Sequence, residues 1–534
     1  MSACSEGPDD RDENSVGARV DRERPHRTTL VIGAGPAGLT TAYLLGKAGH
    51  DVVVLEADRD YVGGLSRAVA YKGFRFDIGG HRFFSKSPEV EALWTELLGH
   101  EMLERPRLSR IYYNGKFFAY PVRAGNALRN LGPVEAALCA LSYLKASLFP
   151  VKDPRSFEDW VSNQFGWRLY RTFFKTYTEK VWGMKCSEIS ADWAAQRIKG
   201  LSMATTIRRA IFRRENGDNS VRTLIESFRY PRLGPGMMWE ACRDAIVAQG
   251  GGNAVLMGRR VVRCRFDAGE GAWEVTARTD AGAEEVFRAS DVVSSAPMRE
   301  IVESIEPPAP AAAREAARGL RYRDFMAVAL IMKERANLPD NWIYVHDPSV
   351  RVGRIQIFKS WSPDLVPDPS LCCFGMEYFC FEGDELWSKP DAEVIAAATD
   401  ELARIGLGRH EDVVDGCVVR ARKAYPVYDG DYADRVARIR REIAHSYPGM
   451  HFVGRNGMHK YNNQDHAMMT GMLTARNIIA GTTLYDVWAV NEEAEYLEAA
   501  TLGGATGERL VPQAIRARPL AEGKESGAGK AGGA

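Results

Sequence analysis

Three things are scarce in this chain of 534 residues: net charge, long apolar runs and paired cysteines. Lys and Arg together number 70, and so do Asp and Glu. The chain therefore lacks the net basic field of a nucleic-acid or polyanion binder, while a local basic pocket stays compatible with it. No stretch reaches the roughly 18 consecutive apolar residues that cross a bilayer. The nearest, VEAALCALSYLKASLF at 134–149, is shorter, holds Glu135 and Lys145, and reads as a buried helix. The nine cysteines include no CxxC pair and no metal-ligand spacing, Cys372 and Cys373 being adjacent. That pattern predicts reduced thiols in a cytoplasmic protein and no metal site. The first 26 residues are polar and charged without the apolar core of a signal peptide, and the terminal EGKESGAGKAGGA is rich in Gly and Ala. Both ends are expected to be disordered. No internal repeat is found, and the length calls for two or more domains.

What is present begins at residue 28. TTLVIGAGPAGLTTAYLLGKAGHDVVVLEA (28–57) reads as an apolar strand, a Gly-rich turn, an amphipathic helix and a second apolar strand ending in Glu56. The glycines of GAGPAG serve different ends. Gly33 permits the tight turn, Gly35 lets the backbone approach a pyrophosphate, and Gly38 allows close helix–strand packing. With Pro36 and Ala37 between them, these residues form a candidate dinucleotide cradle. Glu56, 18 residues beyond Gly38, can accept from a ribose hydroxyl. Further glycine pairs follow in Gly63-Gly64-Leu65 and Gly79-Gly80-His81, where the backbone can approach a second part of an extended ligand.

A second unusual stretch is HFVGRNGMHKYNNQDHAMMTGMLTARNIIAG (451–481). A short apolar run stops at Gly454-Arg455 and gives way to amides, imidazoles and a phenol, including Tyr461, Asn463 and Gln464. An apolar helical pattern then starts at about Ala467. Hydrogen-bonding side chains gathered at a helix N-terminus suggest a ligand with anionic or carbonyl groups.

The glycine-rich start resembles the FAD-binding region of the amine oxidase and protoporphyrinogen oxidase superfamily. Three later stretches fit the same fold: RRVVRCRF (259–266), a strand bringing Val262 towards the adenine; DVVSSAP (291–297); and HFVGR (451–455). Other stretches resemble the UDP-galactopyranose mutase family within that superfamily, namely YTEKVWG, DWAAQRI, WIYVHDPSVRVGRIQIFKSWSPDL, AYPVYDGDY and GRNGMHKYNNQDHAMM. The resemblance runs in order over about 28–480.

It implies an α/β fold: a discontinuous Rossmann-type FAD-binding domain (27–100, 226–300 and 445–482) with a helical insert (101–225) and a sheet-rich substrate insert (301–444). The arm 1–26 precedes it and an extension 483–534 follows. It also implies reduced FAD as cofactor and a nucleotide sugar as substrate, with no nucleic acid and no membrane span. Homo-oligomers are compatible with it. In that family flavin N5 attacks the anomeric carbon, the diphosphate leaves, and the sugar ring opens and recloses without net redox. NAD(P)H would serve only to reduce the flavin beforehand, since no separate nicotinamide site can be read.

Residue by residue, Arg197 and Arg354 match the family's two diphosphate-binding arginines, whose guanidinium can clasp phosphate through two parallel donors. Tyr344, Tyr425 and Tyr461 are candidate donors to phosphate or sugar, and Trp182 matches an active-site Trp. His81 falls where the family has a His near the flavin, able as neutral imidazole to orient N5–H. Gly454 and Arg455 would meet the pyrophosphate end, and the loop after them would bring Tyr461 and Asn463 to the diphosphate and sugar, with Gln464 beyond. In YPVRAGNAL (120–128), Tyr120 and Arg123 fall on a nucleotide-contacting segment, but Arg123 stands where the family often has Gln. Asn462 stands where bacterial members often have a second aromatic. The base and sugar therefore stay open.

Two other classes remain. A redox flavoenzyme of the amine oxidase, protoporphyrinogen oxidase or carotenoid desaturase type shares the FAD domain but needs an apolar channel, which paired arginines oppose. A non-enzymatic relative of the GDP dissociation inhibitor kind would have no need of an intact GAGPAG and Glu56.

Overall fold

The computed structural model describes residues 28–120, 124–191, 227–334 and 338–491. Five short strands, Met450–Phe452, Asp291–Ser294, Thr29–Ile32, Val52–Leu55 and Ala254–Leu256, lie side by side in that order in a parallel sheet. Their apolar residues serve both faces because successive side chains point to opposite sides. Val31, Val54 and Val293 enter a core shared with helices Pro36–Lys47, Pro88–Leu98, Gly236–Ala248 and Gln464–Ala480. Leu30, Leu55 and Val292 enter a second core with Met298–Ser304, Ala311–Arg318 and Tyr432–Ser446. A parallel sheet covered on both faces needs strands that are apolar throughout, and these are. The strand expected at 259–266 runs Arg259–Asp267 and heads a separate meander with Ala272–Thr279 and Glu284–Ala289.

The larger sheet has seven strands, from Val413–Pro426 through Tyr322–Lys333, Leu371–Cys380, Arg354–Ile357, Trp342–Val345 and Ser109–Tyr113 to Lys116–Ala119. Within Tyr322–Lys333 the alternation is complete over Phe325–Met332: Met326, Val328, Leu330 and Met332 face one core, Phe325, Ala327, Ala329 and Ile331 the other. The second face carries the site.

Part of the stretch expected as a helical insert proves to be strand. Ser109–Tyr113 and Lys116–Ala119 form a hairpin closed by Asn114 and Gly115, both at positive φ (49° and 72°). An Asn-Gly pair between apolar runs is the sequence signal of such a turn. Met102–Pro106 is a further strand, paired with Ser227–Pro231, and helices dominate the rest of the described insert. Among them, Pro133–Leu148 departs from expectation: Cys139 is its one buried residue, and a row of leucines faces outward. Phe157–Phe165 starts at a capping box, in which Ser156 Oγ accepts from Asp159 N at 3.1 Å and Asp159 Oδ2 accepts from Ser156 N at 3.2 Å. The last helix begins at Gln464, earlier than the expected Ala467, because Asn463 takes the N-cap position and Gln464-Asp465-His466 form the first turn.

Candidate functional site

The N-terminal cradle is made of backbone. Gly33 leaves strand Thr29–Ile32 at φ +97°, and a Cβ there would lie 2.4 Å from Ser295 Oγ. A Cβ at Gly38 would lie 2.0 Å from Gly33 O, so helix Pro36–Lys47, with Pro36 in its first turn, can approach the strand only without a side chain there. At Gly35 an added Cβ would meet nothing within 4 Å: this face is open, beside a helix N-terminus whose amides suit a phosphate. Gly63 N donates to Ala34 O at 2.7 Å, and a Cβ on Gly64 would come 3.5 Å from Gly35 Cα. The two glycine turns thus lie back to back. Ala37 is buried against Gly454, where a Cβ would lie 3.0 Å from Ala37 Cβ.

Glu56 holds this end together. Its Oε2 accepts from Ala34 N at 2.6 Å and its Oε1 from Asp58 N at 2.8 Å, which leaves further lone pairs for a hydroxyl. Burial raises its pKa. Arg259 N donates to Glu56 O at 2.7 Å, so the strand carrying Val262 starts at this carboxylate's own backbone; Val262 sits at a bulge between Val261 and Arg263. At the other end, Gln464 is 7% exposed, and both ends of its amide lack a hydrogen-bond partner among the described residues. A buried amide left so is costly. An open, backbone-lined face and an orphaned amide fit an elongated dinucleotide.

A second cluster is made of side chains. Gly80 packs on an indole, since a Cβ there would come 2.7 Å from Trp342, so this glycine also permits close contact with the large sheet. Leu65 packs on the same core as Trp342, Tyr344 and Tyr425. Tyr344 lies opposite Arg354 in paired strands and touches the rings of Tyr120 (4.8 Å) and Tyr177 (5.5 Å). Arg354 Nη2 donates to Tyr425 Oη at 3.3 Å. Tyr425 stacks on Tyr461 (5.6 Å, 20°), and the Arg455 guanidinium lies 5.2 and 5.1 Å from these two rings. Trp182 closes the group 6.2 Å from Tyr461. Asn463 caps the helix beyond, its N donating to His466 Nδ1 at 3.3 Å.

Arg354 does not stand as a free fork. Its Nε donates to Glu377, which is 1% exposed and also accepts from Gln356 Nε2 at 2.8 Å. Burial works against the Arg354 charge, but the Glu377 carboxylate outweighs it and holds the guanidinium well above its usual range. One donor edge is thus committed to Glu377, and only the Nη groups remain for a ligand. His81 is half-buried; burial and the Arg455 cation, with Arg354 adding, push it down to about 3, so it is a neutral imidazole.

The structure therefore brings together His81, Tyr120, Trp182, Tyr344, Arg354, Tyr425, Arg455 and Tyr461. Arg123 and Arg197 lie outside the described residues. Sequence reasoning missed Tyr177, Glu377 and His346. Tyr177 stacks on His346 (4.9 Å, 11°), and burial raises its pKa. Its signal was present in YTEKVWG, five residues before Trp182, on a helix entered through the π-turn Arg171–Lys175. Lys180 of that helix donates to the carbonyls of Val345, Asp347 and Val352 (3.1, 2.6 and 3.1 Å), tying it to the sheet. Nothing local marks Glu377 inside LCCFGMEYFC, because its partner is contributed by the neighbouring strand.

The model of the flavin containing amine oxidoreductase family matches residues 36–479, and the chain belongs to that family. It is 27% identical to a protein described as a probable UDP-galactopyranose mutase of Klebsiella pneumoniae over 177 residues, 31% of this chain and 44% of that one. The match thus spans less than half of that relative's length. It is also 27% identical to coproporphyrinogen III oxidase of Mycobacterium leprae over 444 residues, 78% of this chain and 91% of that one. Among solved structures, that of reduced UDP-galactopyranose mutase shares the fold, with a TM-score of 0.73 at 20% identity over 86% of this chain and 96% of that one.

Proposed function

We propose, on the premise of that family membership, that the chain is a FAD-dependent mutase interconverting the pyranose and furanose forms of a nucleotide sugar without net oxidation or reduction. The observation that carries this reading is the convergence of Arg354 and Arg455 with the phenols Tyr177, Tyr344, Tyr425 and Tyr461 beside His81. Cations and hydroxyl donors suit a departing diphosphate. They are a poor wall for an apolar substrate, which offers such groups no hydrogen bond and takes water from them.

In this reading Arg354, its Nε fixed by Glu377, presents its Nη groups to phosphate oxygens, and Arg197 is the second clasp. Tyr425 and Tyr461 donate to phosphate or sugar, Tyr120, Tyr344 and Arg123 reach the nucleotide side, and Trp182 packs on the sugar. Gly33, Gly35, Gly38, Gly63, Gly64, Gly454 and Glu56 hold the FAD, with Gln464 satisfied by it. A neutral His81 keeps a ring nitrogen available to accept or return a proton beside the flavin. Reduced FAD, when bound, supplies the nucleophile for the anomeric carbon, and NAD(P)H is the reductant class proposed for it.

A second reading, a flavin oxidoreductase, is favoured by the match to coproporphyrinogen III oxidase over 78% of the chain. One experiment separates the two: chromatography of UDP-galactopyranose, UDP-galactofuranose and a panel of other nucleotide hexoses after incubation with dithionite-reduced protein, against an oxidised control. Interconversion with the reduced protein alone is expected. A bound, reducible flavin with no conversion of any of them would sink the mutase reading and leave the oxidoreductase.

A further inference from the structure

We propose that helix Pro133–Leu148 and the turn after it dock the protein on an anionic lipid surface. The helix has two unlike faces. Its inner side packs through Cys139, and a Cβ on Gly166 of the neighbouring segment would lie 2.6 Å from Tyr143 N, so the two segments touch at backbone distance. On its outer side and in the turn, Val134, Leu141, Leu144, Leu148 and Phe149 are 53–77% exposed. Of the fourteen large apolar side chains that are exposed among the described residues, eight fall between 134 and 167, Trp167 being the last. Single exposed leucines need no explanation, but a contiguous row does.

Charge selects the occupant. Between 133 and 171 the exposed cations are Lys145, Lys152, Arg155 and Arg171, none with an ion pair among the described residues, and the exposed acid is Asp153. Glu135 is neutralised by a two-bonded pair with Arg168 (2.6 and 2.7 Å). The half-buried Glu158 and Asp159 accept from Tyr170 Oη and Ser156 Oγ, so the fully exposed charge of this stretch is mainly basic beside an apolar row, in a chain whose charges otherwise balance. Leucines, Phe and Trp entering the acyl boundary with Lys and Arg at phosphate level is the composition of an interfacial helix. No helix among the described residues is long and apolar enough to cross a membrane, so this one lies on the surface of the bilayer. The same helical layer leads from Trp167 to Tyr177 and Trp182, so docking would set the site at a fixed height above the membrane.

The test is co-sedimentation of the full-length protein with vesicles of phosphatidylglycerol and phosphatidylcholine in about equal amounts, beside phosphatidylcholine alone. Binding to the anionic vesicles is expected, weakened by high salt, and reduced at least about tenfold in L141S/L148S/F149S. The variant should keep its melting temperature and flavin, because these side chains already face water. Absence of wild-type binding to anionic vesicles would overturn the proposal. So would a dimer by light scattering that the triple variant dissociates, since a second copy would then cover the face.

Discussion

The two halves of the candidate site are built from different materials. The dinucleotide cradle is mostly main chain: within 29–65 the contacts that shape it run from backbone to backbone or from the Glu56 and Asp58 carboxylates to backbone, and its working residues are glycines, Gly33 and Gly38 where a side chain would collide and Gly35 where the face is left open. The arginine–phenol cage is side chain, drawn from 81, 120, 177–182, 344–354, 425 and 455–461 and held by the large sheet. A backbone wall fixes one ligand and admits little variation. A wall of side chains can be exchanged residue by residue while the cradle stays. This is why members of one flavin family can share a fold and differ in reaction, and why function has to be argued from the cage.

That contrast is broken most severely at Gly38. In Gly38→Ala the new methyl would lie 2.0 Å from a backbone oxygen that cannot swing away, so helix and strand must separate at a cost of about 1–3 kcal/mol or more. Purified G38A should melt lower and carry at least about tenfold less flavin, read from the absorbance ratio. Gly35→Ala is the matched control: its methyl meets no protein atom within 4 Å, so melting should be unchanged and only flavin retention should fall. Equal behaviour of the two variants would remove the distinction between a packing glycine and a ligand-facing one.

In the cage the same kind of change should spare the cofactor. Arg354→Ala should lower turnover by about 10²–10³-fold with flavin content near wild type, measured by single-turnover conversion of the nucleotide sugar proposed as substrate. Glu377→Gln keeps the shape but weakens the Nε anchor, and should cost less in turnover than loss of the arginine. Glu377→Ala leaves a buried cation unpaired, at about 3–5 kcal/mol, which denaturant titration would detect. Tyr425→Phe removes one hydroxyl bonded at 3.3 Å and should lower turnover only about two- to tenfold. Loss of flavin in R354A would mean that cradle and cage are not separable.

The same contrast explains what could be read from the sequence. The cradle was legible because its parts are consecutive: strand, glycine turn, helix and acid fall within 28–57, and the role of each glycine follows from local geometry. The cage was legible only where a family pattern stood in for distance, as with Trp182, Tyr425 and Tyr461. Glu377 was hidden because its meaning lies in a partner on the adjacent strand, and Gly80 because its neighbour Trp342 is far along the chain. The hairpin at 109–119 was available in its Asn-Gly turn and was overlooked beneath the helical reading of the whole insert. Burial of Pro133–Leu148 could not be inferred from composition: the apolar count is the same whether a helix is covered by protein or left for another surface.

The smallest expected effect concerns protons and has opposite signs in the two halves. His81 in the cage is pushed down to about 3 by burial and the Arg455 cation, below the roughly 6.5 of an unfolded chain. Between those values the unfolded state binds a proton that the native state refuses, so His81 contributes stability above about pH 6.5 that is lost as pH falls towards 3. His346 and His459, lowered by burial to about 3 and about 4, act in the same sense. Glu56 in the cradle is raised above 4.5 by burial: its stabilisation is present below that value and fades as pH rises through its folded pKa. The melting temperature of wild type should therefore fall from pH 6.5 towards 4, and His81→Gln should flatten that fall, modestly, because the ring is half-buried and two other histidines remain. His81→Gln should leave the contribution of Glu56 untouched, so the wild-type and variant curves should run parallel above pH 6.5 and change their separation only below it. Parallel curves across the whole range would mean that His81 is not held neutral by the cage.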